Sequence, residues 1–304
     1  MAKYINPGYG QLINAGTDGI LTQESFTYNP SHGVALSLPD ETSDVEEYIL
    51  PSIPVIFNGR DIYLKFDMYL PEEVPYPAAN VLILGEYMLY ISIKDYSGNF
   101  GINDNFGDIY VYADSTKLIS NTVNTIWIGY VSATHKIQLI VNGETVANMS
   151  LSMEIDTSKV SFNAQSFAPI SNIIISDEYV DPREVIVELN ASAVDTTMAV
   201  DGAQYKAVEG NAYVLHTPDI SNARGLFGNS GRILGLAAIA APAYTTGDDV
   251  TSIKCRTVDG ETVTDYSAQN LSSDTSAMLA EYLPVSSDMT VASLADFKIG
   301  WVTL

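Results

Sequence analysis

Residues 61–70 read Asp-Ile-Tyr-Leu-Lys-Phe-Asp-Met-Tyr-Leu, and this strict alternation limits what the chain can fold into more than any other feature. In an extended strand successive side chains point to opposite faces. Ile62, Leu64, Phe66, Met68 and Leu70 therefore share one face, and Tyr63, Lys65, Asp67 and Tyr69 the other. A helix would scatter the same residues around its circumference. Pro71 then ends the run. The two-residue period recurs. Lys136–Val141 and Glu144–Met149 flank Asn142-Gly143, a pair that suits the positive φ angles of a type I′ hairpin turn. Asp201-Gly202 and Asp259-Gly260 are turns of the same kind, the second between Val250–Thr257 and Glu261–Tyr266. Further strands are predicted at Gly19–Tyr28, Gly33–Leu38, Val81–Leu84, Met88–Ile93, Asp108–Tyr112, Thr125–Ser132, Ser171–Ile175, Val185–Leu189 and Phe297–Val302. Many short strands between regular turn signals predict an all-β chain built of antiparallel sandwiches. One short helix is expected within Asp288–Phe297, with Asp288 as its N-cap.

Composition enters as a set of exclusions. Lys and Arg number 14 against 37 Asp and Glu, a net charge of −23 over 304 residues. Such a surface repels phosphate backbones and anionic bilayers, so nucleic acid and membrane partners are not expected. With 46% apolar residues and 19 tyrosines, the chain is not a disordered acidic tail. One cysteine, Cys255, excludes intrachain disulfides and multi-cysteine metal sites. The longest apolar run, Ile233–Ala241, is far short of the ~20 residues that span a bilayer and reads as a buried strand. Nothing at the N-terminus resembles a secretory signal, so synthesis in a cytoplasm, without exit by the secretory route, is expected.

Composition shifts near Asp181-Pro182. Residues 1–182 carry 7 basic and 22 acidic side chains, a net −15, and residues 183–304 carry 7 and 15, a net −8. Fourteen of the 19 tyrosines fall in the first part. Two tandem domains are expected, 1–182 and 183–304. Ile128-Gly129-Tyr130-Val131 and Ile299-Gly300-Trp301-Val302 echo one another across them, a faint hint of two related sandwiches.

The order of Asp61–Leu70, the Trp-led Trp127–Val131, the hairpin Ile137–Glu144 and the closing Ile170–Asp177 resembles the concanavalin A-like, laminin-G-like jelly rolls. That resemblance spans roughly residues 19–180 and implies a jelly-roll first domain. The exit through Asp177-Glu178 and Asp181-Pro182-Arg183-Glu184, and the C-terminal Leu294–Val302, resemble bacteriophage tail and virion-associated proteins. In those a second β domain follows the first.

Three groups of residues bear on chemistry. Glu154-Ile155-Asp156 begins the E-x-D-x-x-E of concanavalin-type glucanases, but Lys159 stands where the acid/base carboxyl is required. The triplet reads better as a polar strand end. The loop Asp95–Asp108 offers oxygen ligands, and Asp104, Asn105 and Asp108 could supply some of calcium's six to eight. Asn, Asp and Gly are also ordinary turn residues. Tyr87, Tyr90, Tyr96, Phe100, Phe106, Tyr110 and Tyr112 crowd one stretch. Aromatic faces stack on sugar rings, although tyrosine is also a good strand residue in its own right. His32, His135 and His216 pair with no nucleophile, and Gly228–Gly231 is a turn rather than a nucleophile elbow because Arg232 replaces the last glycine.

The expectation that gathers these readings is a non-enzymatic virion component of phage type, on a tail fibre or capsid surface, contacting host glycan through domain one. Its partners would be other virion proteins and copies of itself, a trimer being favoured. Its location would be the virion and its cofactors none, calcium aside. The alternatives are a carbohydrate-binding module of a bacterial protein and a concanavalin-type glycoside hydrolase.

Overall fold

The computed structural model describes residues 61–70, 118–119, 121–152, 154–155, 170–187, 189–202, 204–246, 250–271, 273 and 277–304. It also gives the backbone of strands at 3–6, 12–14, 20–21, 47–49, 79–84, 89–93, 100–104, 109–112 and 160–163. The chain divides into two compact units, Met1–Ile186 and Val187–Leu304. Both are built of antiparallel β-sheet.

The strands of the first unit are β1 (Lys3–Asn6), β2 (Leu12–Asn14), β3 (Ile20–Leu21), β4 (Glu47–Ile49), β5 (Ile62–Leu70), β6 (Ala79–Leu84) and β7 (Leu89–Ile93). They continue with β8 (Phe100–Asp104), β9 (Ile109–Tyr112), β10 (Thr122–Val131), β11 (Lys136–Val141), β12 (Glu144–Ser150), β13 (Val160–Asn163) and β14 (Ile170–Ser176). A six-stranded sheet runs β1-β14-β5-β10-β11-β12, and an eight-stranded sheet runs β3-β2-β4-β13-β6-β7-β8-β9. The alternation in β5 becomes a core. Ile62, Leu64, Phe66 and Met68 are buried with Ile126, Ile128 and Tyr130 of β10, Ile137, Leu139 and Val141 of β11, and Ile170, Ile173 and Ile175 of β14. Each such aliphatic contributes about 1.5–3 kcal/mol on leaving water. Tyr130 is fully buried, and its hydroxyl accepts the backbone N–H of Ile155 at 3.0 Å. Asn142 and Gly143 take φ of 51° and 82° between β11 and β12, the turn their sequence demands.

The second unit comprises β15 (Ala191–Thr196), β16 (Ala199–Asp201), β17 (Gln204–Lys206), β18 (Tyr213–Pro218), α1 (Ser221–Phe227), β19 (Leu236–Ala243), β20 (Ser252–Asp259), β21 (Thr262–Asn270), β22 (Ala277–Leu283) and β23 (Phe297–Thr303). Its main sheet runs β15-β18-β23-β20-β21, with two two-stranded sheets, the hairpin β16-β17 and the sequence-distant pair β19-β22. The core joins Val214, Ile253, Cys255 and Trp301 of the sheet to Ala238 and Leu283 of the β19-β22 pair. Burial pushes the Cys255 thiol up to about 12, in keeping with its packing as a small apolar residue.

Several expectations change. The described residues of Val185–Leu189 form no strand, and Val185 is exposed. Ile233–Ala241 lies partly in β19, but its described residues are mostly half-buried, with Ala238 buried in the core and Leu236 and Ala240 only packed against it. The helix near the C-terminus is a single 3-10 turn, Val291–Leu294. Its capping box is Thr290 with Ser293, so Thr290 takes the role foreseen for Asp288. Of the strands predicted at Gly19–Tyr28 and Gly33–Leu38, only Ile20–Leu21 lies within the described residues.

Candidate functional site

Backbone pairing brings the central part of the aromatic-rich stretch together. β7, β8 and β9 form one free end of the eight-stranded sheet. Tyr90 stands opposite Asn103, Ser92 opposite Gly101 and Asn80 of β6, and Gly101 opposite Tyr112. Directly paired residues share a face, so Asn80, Ile83, Tyr90, Ser92, Gly101, Asn103, Ile109 and Tyr112 fall on one face of the sheet. Phe100 is paired with Ile93, and Asp104 with Leu89, which places both on the opposite face with Ile91 and Ile102. Tyr110 sits at the bulge where β8 and β9 shift register. Bulges re-aim the residues beside them. Tyr87, Tyr96, Phe106, Asn105 and Asp108 lie outside the described residues.

The six-stranded sheet carries an aromatic group that sequence reasoning missed. On its outer face Trp127 pairs with Lys65, and Gly129 with Tyr63. A Cβ at Gly129 would come within 2.5 Å of the Trp127 ring, so the glycine leaves the space that the indole occupies. The indole N–H donates to the carbonyl of Val180 at 2.7 Å. Tyr179 packs edge-on against Tyr63, with ring centres 5.5 Å apart, and against Trp127 at 6.1 Å. Trp127 is only 2% exposed and Tyr179 is 62% exposed. The group thus fastens the segment 177–186 across the sheet rather than offering an open platform.

Lys65 helps hold that segment. It is 5% exposed and donates to the backbone carbonyl of Glu184. Burial lowers its pKa, while Asp67, Glu184 and Asp181 act the other way. Asp181 pairs with Arg183 at 2.8 Å, and that partner holds its carboxyl well below the usual range. Beside Lys65, Asp67 accepts Thr125 Oγ1 at 2.8 Å and Asn172 Nδ2 at 2.6 Å. Asn172 occupies the β14 bulge with φ 53°. The alternation around Trp127-Ile128-Gly129 was the available signal for this cluster, but its partner Tyr179 is fifty residues on.

Glu154 is exposed and outside any strand, and Asp156 and Lys159 lie outside the described residues. His135 takes a left-handed φ of 50° after a 3-10 turn. His216 packs edge-on against Tyr205, with ring centres 5.5 Å apart, and burial lowers its pKa. Among the described residues, no group of three or more His, Cys, Asp or Glu is placed to hold a metal ion. Nor is any helix among them long and apolar enough to cross a membrane.

No family model and no curated protein matches the chain. Solved structures with some likeness include the carbohydrate-binding module CBM40 of Ruminococcus gnavus IT-sialidase bound to α2,3-sialyllactose. It is 14% identical, covers 46% of this chain and 91% of its own, and has a TM-score of 0.35. Caenorhabditis elegans galectin LEC-6 is 15% identical over 43% of this chain and 95% of its own, with a TM-score of 0.31. Domain 4 of the Geobacillus stearothermophilus arabinanase AbnA, in complex with arabinotriose, is 10% identical over 60% and 96%, with a TM-score of 0.36. At scores this low the likenesses decide neither ligand nor activity.

Proposed function

We propose that the chain is a non-enzymatic glycan-binding protein, and that it reads saccharide through the β7-β8-β9 face of its first domain. The observation that carries this reading is the register that puts Tyr90 and Tyr112 on one face with Asn80, Ser92, Asn103 and Gly101. Tyrosine rings offer an apolar body with a polar tip. Amides and hydroxyls accept and donate to sugar hydroxyls, and glycine leaves room for a ring to approach. The first domain is taken as 1–182 and the second as 183–304. Calcium at Asp104, Asn105 and Asp108 belongs to the proposal as an optional support of the adjoining loop.

The test is a glycan array probed with the full chain, followed by calorimetry on any hit with the Tyr90→Ala/Tyr112→Ala variant. Loss of two stacking rings is expected to weaken binding at least tenfold, about 1.4 kcal/mol. Absence of any hit, or equal binding by the variant, overturns the reading. Binding that survives EDTA eliminates the calcium. A tail or capsid setting rests on the sequence resemblance alone. Light scattering tests it, since a stable trimer would favour a virion component and a monomer a free-standing module.

A further inference from the structure

The outer face of the six-stranded sheet brings an amine, a carboxylate and a carboxamide together on two neighbouring strands. Lys65 and Asp67 stand two positions apart on β5 and share that face. Asn172 lies on β14, in the bulge between Ser171, which pairs with Asp67, and Ile174, which pairs with Lys65. A residue two places from a direct partner is a diagonal neighbour, about 7–8 Å away and within reach of a long side chain.

The two ends are both buried. Lys65 is 5% exposed and Asn172 is 7% exposed. Asn172 Nδ2 donates to Asp67 Oδ2 at 2.6 Å, which fixes the orientation of the amide. Its Oδ1 is then buried with no hydrogen-bond partner among the described residues. A buried acceptor without a donor is costly. Lys65 carries three donors and uses one of them among the described residues, on the carbonyl of Glu184. Its ammonium makes no ion pair with any carboxylate of those residues. Buried Trp127 and Ile174 are its cross-strand partners. Burial there favours the uncharged amine, which is the nucleophilic form.

We propose that Lys65 and Asn172 join in an intramolecular isopeptide bond, with Asp67 as the proton relay. Lys65 Nζ attacks Asn172 Cγ. The Nζ–Cγ bond forms as the Cγ–Nδ2 bond breaks, and Asp67 carries the proton from Nζ to Nδ2. Ammonia leaves, and takes up as ammonium the proton that Lys65 shed on becoming an amine. No atom changes oxidation state and no co-reactant is needed. The hydrogen bonds given above are those of the chain before the bond forms, and the reaction takes Lys65 off the Glu184 carbonyl. β14 and β5 are adjacent inside the sheet, so the bond ties together two strands that unfolding would otherwise separate.

The test is intact-mass spectrometry of the folded full chain, followed by tryptic mapping. The chain is expected to be lighter than its sequence by one ammonia. It should yield a branched peptide that joins the stretch around Lys65, uncut after that residue, to the stretch around Asn172. Lys65→Arg keeps a donor for the Glu184 carbonyl but cannot form the bond, and should have its full sequence mass. Asp67→Asn should also keep its full mass while still unfolding cooperatively, which separates loss of the relay from loss of the fold. Full sequence mass in the unsubstituted chain overturns the proposal. So does an ammonia loss that persists in Lys65→Arg, as cyclisation at Asn142-Gly143 would give. Cross-linking that proceeds unchanged in Asp67→Asn overturns the role of the carboxylate.

Discussion

The central strands β10 and β23 spell nearly the same word, Ile128-Gly129-Tyr130-Val131 and Ile299-Gly300-Trp301-Val302, for different physical reasons. In each the aromatic after the glycine is buried in its unit's core. The glycines differ in what crowds them. Space at Gly129 is filled by the Trp127 ring, a side chain, whereas space at Gly300 is filled by the Val214 backbone. The two outer faces differ accordingly. The first is crossed by the segment 177–186, pinned at Trp127 and Lys65. The second carries a salt-bridged belt whose charged groups remain partly exposed.

That contrast ranks two substitutions. Gly300→Ala drives a methyl into a backbone that the β18-β23 pairing holds in place. It should cost more than about 3 kcal/mol, at the upper end of what overpacking does. The chain has two tryptophans, one in each unit, so Trp301 fluorescence in a Trp127→Phe background reports the second unit by itself. Retention of its denaturant midpoint in Gly300→Ala would refute the backbone argument. Gly129→Ala should cost less, about 1–3 kcal/mol, because the indole can tilt away. Its signature is specific. The Val180 contact loosens, and protease cleavage within 177–186 should quicken while the buried face of β5 stays protected.

Alkaline pH sharpens the comparison. In the second unit Cys255 has a thiol raised from near 9 to about 12. The folded state then keeps a proton that the unfolded state loses, so stability falls as pH climbs from about 9 towards 12, by at most about 1.4 kcal/mol per unit. In the first unit Lys65 is lowered. Its folded form releases a proton sooner than the unfolded chain, so stability rises with pH between that lowered value and the ordinary lysine value. Unit-resolved unfolding at pH 8 and pH 10 should show a loss in the second unit that Cys255→Ala abolishes. An unchanged slope in Cys255→Ala would mean that another group carries the proton.

Much of this was legible in the sequence. The alternation of residues 61–70 and the Asn142-Gly143 turn are local, and local signals survive folding. What tertiary contacts decide was not legible. Val185–Leu189 is apolar enough for a strand, yet the carbonyls of Val180 and Glu184 just before it are taken by Trp127 and Lys65. Helix α1 buries one residue, Ala223, so it left no periodic trace to read. The crowding of aromatics at 87–112 was visible. Their division was not, because the separation of Phe100 from Tyr90 and Tyr112 depends on strand register, and a one-residue slip would reverse it.

The smallest effect tests whether the two units share a turn chemistry. Gly143 and Gly260 have φ of 82° and 58°, and neither has an atom within 4 Å of where a Cβ would stand. Packing therefore contributes nothing, and only backbone strain opposes alanine. A residue with a Cβ pays roughly 1–2 kcal/mol for the left-handed region. Gly143→Ala and Gly260→Ala should each shift the midpoint of their own unit by that amount and leave the other untouched. If either cost reached that of Gly300→Ala, the turn would be packed against something, and the distinction between crowded and merely left-handed glycines in this molecule would fail.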